Sequence, residues 1–198
     1  MERKILVICG HPNLKASRVN SAILKEVSEH AVTVHNLSEH HENFNFDVEK
    51  EQNLLLKHDR IVFLFPLYWY STPAILKKWF DDILLPGFAY ARGGDKLLNK
   101  EFMVVTTVGA MEEGYRAGGF NHYTIDELLR PIQQLTYYVK AKYIPPYPIY
   151  ESVFISPEDL KQAAKSATKF IVSDYQDPTF KYEQMLLKAE EMQIELIS

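Results

Sequence analysis

Three short segments hold the residues whose types and spacing could do chemistry. Gly10-His11-Pro12-Asn13-Leu14-Lys15-Ala16-Ser17-Arg18-Val19-Asn20 follows an apolar run and leads into a helical pattern. Free amides and the dipole at a helix N-terminus attract an anion, and Ser17, Asn20 and His11 can donate to phosphate oxygens. An ordinary helix cap by Ser17 accounts for the same residues. Pro66-Leu67-Tyr68-Trp69-Tyr70-Ser71-Thr72 is a strand-to-helix connection. Such loops favour small polar residues, yet this one carries consecutive large aromatics. They suit a flat, partly apolar ligand, and equally a surface closed by a partner subunit. Thr106-Thr107-Val108-Gly109-Ala110-Met111 leaves another apolar run. Gly109 there lets the backbone approach the edge of a ring.

The elements that must position these segments alternate along the chain. Strands are expected over Lys4–Cys9, Val32–Leu37, Ile61–Phe65, Glu101–Thr107 and Lys140–Ile144, the last running into Pro145-Pro146-Tyr147-Pro148. Helices are expected over Ser17–His30, Asp47–His58, Pro73–Leu84, Ile125–Tyr138 and from the Ser156-Pro157-Glu158-Asp159 start to about Asp174. Pro178 reads as an interruption before a last helix, Tyr182–Leu196, and Glu39–Phe46 reads as loop. Strands alternating with helices predict an α/β parallel sheet with right-handed crossovers. The G-x-G-x-x-G fingerprint is absent after the first strand and no Walker A motif occurs. That favours a flavodoxin-like three-layer sandwich with strand order 2-1-3-4-5 over a Rossmann order. In it, the loops after strands one, three and four converge on the switch point, where open sheets bind ligands.

Composition excludes several classes. With 198 residues, 46% apolar, the chain can bury a good core. The net charge of −4 has acids and bases interspersed, so no nucleic-acid footprint stands out. No segment approaches a membrane span, and Ile5–Cys9 is too short for a signal-peptide core. A lone cysteine, Cys9, precludes an intrachain disulfide and fits a reducing cytoplasm. It reads as core, not nucleophile. His35, His40 and His41 form no metal-ligand pattern and read as solvated. Lys77-Lys78 and Asp81-Asp82 read as i,i+4 surface pairs.

The blocks GHPNLKASRVN, FPLYWYSTPAILKKWFDDIL, GFAYARGG and TTVGA, extended by GGFNHYTIDELLRPIQQ and YIPPY, closely resemble the NAD(P)H:quinone oxidoreductase family of flavodoxin-like flavoproteins. The likeness is strongest to bacterial quinone reductases and to the ancillary flavoproteins of potassium-efflux systems. It covers about residues 4–174, leaving 175–198 as an extension without a recognised motif. The resemblance implies a flavin, FMN or the alternative FAD, with NAD(P)H as co-substrate and a quinone as acceptor. It assigns His11, Ser17, Arg18, Val19 and Asn20 to the flavin phosphate and ribityl chain. Pro66, Leu67, Tyr68, Trp69 and Tyr70 would wrap the ring and ribityl. Thr106, Thr107, Val108, Gly109 and Ala110 would border the pyrimidine edge, with Val108 standing where relatives often have glycine. Tyr115 fits the slot of a tyrosine that stabilises charge on the reduced ring, with Gly109 beside it. The companion histidine slot falls near Phe120, with His122 two residues on.

The resemblance also implies a homodimer and ping-pong transfer. Two further functions stay open: a regulatory flavoprotein bound to a potassium-efflux transporter, and a one-electron carrier. The modest charge and the missing Thr/Gly-rich phosphate loop speak against the carrier.

Overall fold

The computed structural model describes residues 3–40 and 44–192. In chain order the elements are β1 (Ile5–Cys9), α1 (Arg18–Val27), β2 (Val32–Asn36), α2 (Leu37–His40), α3 (Val48–Lys57), β3 (Arg60–Pro66), α4 (Ala74–Ile83), β4 (Glu101–Thr107), α5 (Ile125–Leu128), α6 (Arg130–Tyr138), β5 (Lys142–Ile149), α7 (Pro157–Val172) and α8 (Pro178–Glu191). The sheet is wholly parallel, in the order β2-β1-β3-β4-β5. This is the expected flavodoxin-like arrangement.

Every residue of β1 and β3 is buried, so alternate side chains feed cores on opposite faces. Leu6, Ile8, Ile61, Phe63, Phe65, Phe102 and Val104 pack with α4 and α6. Phe63 is the hub of that layer, edge-to-face with Trp79, Phe80 and Phe102 at 6.1, 5.0 and 5.4 Å. Ile5, Val7, Cys9, Val62, Leu64, Met103 and Val105 pack with α1 and α7. Burial raises the Cys9 thiol to about 11, which keeps it protonated and fits its reading as core.

Several boundaries differ from expectation. β5 runs on through Pro145, Pro146 and Pro148 to Ile149. It lies at the sheet edge, where proline's missing N–H costs no ladder bond, and the register shifts opposite Met103–Val105 to absorb the proline pair. The helix expected over Ile125–Tyr138 is two pieces, because Pro131 sits in the first turn of α6. Pro178 opens α8 instead of interrupting it; Asp177 caps that helix by accepting from the Thr179 amide. The expected stretch beyond Met192 lies outside the described residues. Part of the presumed loop after β2 is α2.

His35 is corrected more sharply. It is buried on β2 and bonds Glu51 at 2.9 Å, and Glu51 also accepts from Trp79 Nε1 at 2.8 Å. A short alternating strand can turn a histidine inward, and a buried carboxylate there satisfies it. His40 lies on α2, and His41 lies outside the described residues. Lys77–Asp81 and Lys78–Asp82 do form i,i+4 pairs.

The amino edge of the sheet is fastened by Arg60, whose side chain has 0% exposure. Its Nε donates to Glu101 at 2.7 Å, and Nη1 donates to the carbonyls of Ile171 at 2.5 Å and Ser173 at 2.7 Å. One side chain thus ties β3, β4 and the end of α7. Arg60→Leu would leave two carbonyls unpaired and Glu101 with Arg3 as its cation at 3.3 Å, so we expect a loss of about 2–5 kcal/mol at roughly 1–3 kcal/mol per unsatisfied group. Urea denaturation of the variant against the parent protein checks this.

Candidate ligand site at the carboxyl edge of the sheet

The chain leaves β1, enters a short 3-10 turn at Leu14–Ala16 and starts α1. Ser17 caps α1, its Oγ accepting from the Asn20 amide at 3.3 Å and from Asn20 Nδ2 at 3.0 Å. Because Oγ accepts twice, its own proton is left to donate. The Arg18 and Val19 amides are first-turn donors with no intrahelical partner. The Arg18 guanidinium donates to the Ile155 carbonyl at 2.9 Å, so what Arg18 offers the loop is its amide. Val19 likewise buries its side chain in the core. His11 Nδ1 accepts from the Asn13 amide at 3.0 Å, which leaves Nε2 as the protonated, donating nitrogen. Burial lowers the His11 pKa, holding the ring neutral.

Asn20 joins this loop to the one after β4. It is 2% exposed and donates from Nδ2 to Thr107 Oγ1 at 3.2 Å, while its Oδ1 is buried without a partner. An unpartnered buried acceptor is costly in a finished interior. Here it sits among free donors, an arrangement that suits a ligand carrying both an anionic group and hydroxyls.

The aromatic loop is a tight reverse turn. The Tyr68 amide donates to the Ser71 carbonyl and the Ser71 amide to the Tyr68 carbonyl, both at 3.0 Å. Trp69 and Tyr70 occupy the centre with φ of 48° and 62°. Glycine or asparagine normally fills such positions; other residues there cost on the order of 1–2 kcal/mol each. Trp69 is 94% exposed. A strained turn presenting an indole to solvent is a candidate contact surface. Before it, Pro66 ends the β3 ladder opposite Thr107, and the Leu67 amide donates to the Thr107 carbonyl at 2.9 Å. The Tyr68 ring meets the His11 ring edge-on at 6.2 Å. Tyr70 donates to Asn121 Oδ1 at 3.0 Å.

In the third loop, Thr106 donates to the Phe65 carbonyl at 2.9 Å and Thr107 is buried. Val108 points into the core, with its amide donating to the Ile149 carbonyl at 2.9 Å. The Gly109 and Ala110 amides donate to no protein group among the described residues. A Cβ at Gly109 would meet only Val153 at an ordinary 3.5 Å, so the protein's own packing does not demand a glycine there. Tyr115 ends the 3-10 turn Glu112–Tyr115 and stacks obliquely on Tyr150, 6.1 Å between centroids. Burial, and then the nearby Tyr70, raise its pKa, so the phenol remains a donor.

The structure therefore brings His11, Ser17, Asn20, Leu67, Tyr68 and Thr107 into one connected set, with Tyr70 extending it to Asn121. It adds a fourth loop that sequence reasoning missed. Glu151 and Ser152 donate their amides to the Ala110 and Val108 carbonyls, both at 3.0 Å; Val153, beside Gly109, and Phe154 are exposed. Its place depends on β5 continuing through the prolines, which no periodicity signals. Asn121 was also missed; only its contact with Tyr70 singles it out.

Fold and site together define a doubly wound α/β protein with a candidate ligand cradle at its switch point. Among the described residues, no group of histidine, cysteine and carboxylate side chains could hold a metal, and no helix is long and apolar enough to cross a membrane. A family profile described as flavodoxin-like fold matches residues 3–171. The chain belongs to this family. It is 44% identical to an uncharacterized NAD(P)H oxidoreductase, YrkL, of Bacillus subtilis, over 87% of this chain and 99% of the relative. It is 42% identical to the glutathione-regulated potassium-efflux system ancillary protein KefG of Cronobacter sakazakii, over 74% of this chain and 80% of the relative.

Solved structures agree. General stress protein 14 of Treponema denticola, in complex with FMN, superposes with a TM-score of 0.80 at 31% identity, covering 85% of this chain and 97% of that one. An NADPH-quinone reductase of P. pentosaceus gives 0.79 at 30%, covering 87% and 99%. A chain described as a thermophilic tryptophan halogenase of Streptomycin violaceusniger gives 0.85 at 43%, covering 86% and 100%. The profile match stops before α8.

The turn supplies a direct test of its strain. Trp69→Gly removes a side chain that buries almost nothing and frees a left-handed position. Stability should rise by up to about 1 kcal/mol, read as a higher urea midpoint at unchanged slope.

Proposed function

We propose that this chain is a flavin-dependent NAD(P)H:quinone oxidoreductase that uses FMN. The observation that carries this is the cluster of unsatisfied donors around the buried, unpartnered Asn20 Oδ1, beside an exposed aromatic wall. The FMN in the Treponema denticola structure and the quinone-reductase and NAD(P)H-oxidoreductase names of relatives support it. When bound, the flavin supplies two-electron transfer from NAD(P)H to a quinone.

The chain's own residues have defined tasks in this reading. The Ser17 hydroxyl, the Arg18 and Val19 amides and His11 Nε2 bind the phosphate. Asn20 Oδ1 would accept from a ribityl hydroxyl. Pro66 and Leu67 end the strand so that Tyr68, Trp69 and Tyr70 form a wall beside the ring. Thr106 and Thr107 set the level at which the third loop leaves the sheet, and Val108 anchors it. The Gly109 and Ala110 amides and the Tyr115 hydroxyl would be the donors available to negative charge at the ring edge. The nicotinamide leaves before the quinone enters, so one open face serves both in turn.

We further infer a homodimer acting in the reducing cytoplasm. A groove of about 730 Å³ runs from Ser71 and Thr72 between α4 and α6, lined by Phe80, Leu84, Ile132, Leu135 and Tyr138. It is continuous with the aromatic loop and apolar enough to receive a second subunit. The likeness to KefG favours one second reading, a regulatory flavoprotein docked on a potassium-efflux transporter. Copurification with such a transporter, insensitive to quinones, would favour that role.

Purified protein should release FMN on heating, identified by mass. NAD(P)H oxidation with a benzoquinone should give parallel initial-rate lines; intersecting lines oppose the sequential use of one face. No flavin even after reconstitution defeats the reading.

The phosphate end is tested separately. Replacing Ser17 and Asn20 together by alanine removes one hydrogen bond to the charged phosphate, about 1.5–3 kcal/mol, and one to a neutral ribityl hydroxyl, about 0.5–1.5 kcal/mol. FMN affinity of the refilled apoprotein should fall at least roughly ten-fold, measured by quenching of flavin fluorescence, with the fold retained by circular dichroism.

A further inference from the structure

We propose that the Tyr70–Asn121 hydrogen bond is a latch that sets the tilt of the aromatic wall and thereby selects acceptors by size, Tyr70 and Asn121 acting as positioning residues. The inference rests on the quinone-reductase reading for its consequence, and on the unliganded protein alone for its geometry.

The turn Tyr68–Ser71 is closed by its own two amide bonds. It therefore moves as a unit, hinged where it leaves β3 and enters α4. Within the turn, Tyr70 supplies a side-chain bond to a distant loop, from its hydroxyl to Asn121 Oδ1 at 3.0 Å across a separation of 51 residues. Both central residues hold left-handed backbone angles. A turn held in such a conformation needs its surroundings to define it, and a half-exposed Tyr70 buries little that could do so.

The other end of the latch is rigid. The Asn121 amide donates to the Gly114 carbonyl at 3.0 Å, and the Tyr123 amide to the Asn121 carbonyl at 2.7 Å. A Cβ on Gly114 would lie 2.8 Å from Phe120 Cζ and 3.3 Å from Asn121 Nδ2, so a glycine is what lets the loop fold this tightly. Asn121 Nδ2 is buried with no partner; the side chain's bond is the one to Tyr70. The same loop carries Tyr115, whose phenol lies close enough for Tyr70 to be the second cause of its raised pKa. Releasing the latch frees the wall on one side of the cleft and leaves the donors on the other side in place. A fixed wall excludes wide acceptors, and a mobile one admits them.

Tyr70→Phe, Asn121→Ala and the double variant test this in the full-length protein. Two readouts are needed. In protein carrying 5-fluorotryptophan, Trp69 and the buried Trp79 give separate fluorine resonances. The latch predicts that the Trp69 resonance shifts and narrows in each variant of the apoprotein, with Trp79 unmoved as the internal control. In the holoenzyme, the ratio of kcat/KM for 1,4-benzoquinone to that for a fused-ring naphthoquinone should fall at least five-fold, mainly through the naphthoquinone KM. All variants should show the same change, because both substitutions break one bond and their effects do not add.

A Trp69 resonance unchanged in both single variants overturns the latch. So does a selectivity ratio unchanged within two-fold, or a double variant whose effect is the product of the singles. If no variant or parent reduces quinones yet the Trp69 resonance responds as predicted, the latch stands as a structural device and the quinone reading fails. Asn121→Asp keeps an acceptor for Tyr70 and should restore the parental Trp69 resonance.

Discussion

No residue of β3 reaches water, so each of its peptide groups has to find a partner in β1 or β4. Buried backbone groups left unpaired cost as much as a lost hydrogen bond, and this single requirement propagates outward. It places β3 at the centre of the sheet and demands apolar side chains on both faces. Both faces must then be covered, and with its neighbours parallel to it each return of the chain crosses over through a helix. All loops that follow strands then emerge on the same edge. The position of the cradle is a consequence of how the middle strand satisfies its hydrogen bonds.

What distinguishes that edge is the contrast between groups that are satisfied and groups that are not. Asn20 ties the first loop to Thr107, Leu67 ties the second to Thr107, and Glu151 and Ser152 tie a fourth to the third. These bonds fix loops that would otherwise be free. Beside them stand the Gly109 and Ala110 amides, the start of α1 and the Asn20 oxygen, without protein partners among the described residues. The opposite edge is different in kind. There Arg60 converges on carbonyls and a carboxylate, and the bonds serve cohesion.

The sheet order and the main loops were legible because they depend on local signals. Continuous apolar runs mark doubly buried strands, Ser17 and Ser156 mark helix starts, and the aromatics after Pro66 are conspicuous for their position. What was not legible depended on contacts distant in sequence. Nothing near His35 announces that Glu51, which also accepts from Trp79, will meet it inside the fold. Prolines at 145, 146 and 148 argue locally against a strand, and only an edge position makes them acceptable. Pro178 looked like a break because proline both stops and starts helices, and Asp177 decides between them. Asn121 belongs to the site only through a tyrosine 51 residues away.

The prolines of β5 have a consequence beyond their own strand. An edge strand ordinarily exposes a row of donors and acceptors on which another molecule's strand can add, which is how folded sheets begin to aggregate. Here much of that row lacks its donors, since proline carries none. The sheet cannot readily be lengthened across this border. A second sheet finds few donors there to pair with, and this border is a poor start for a fibre.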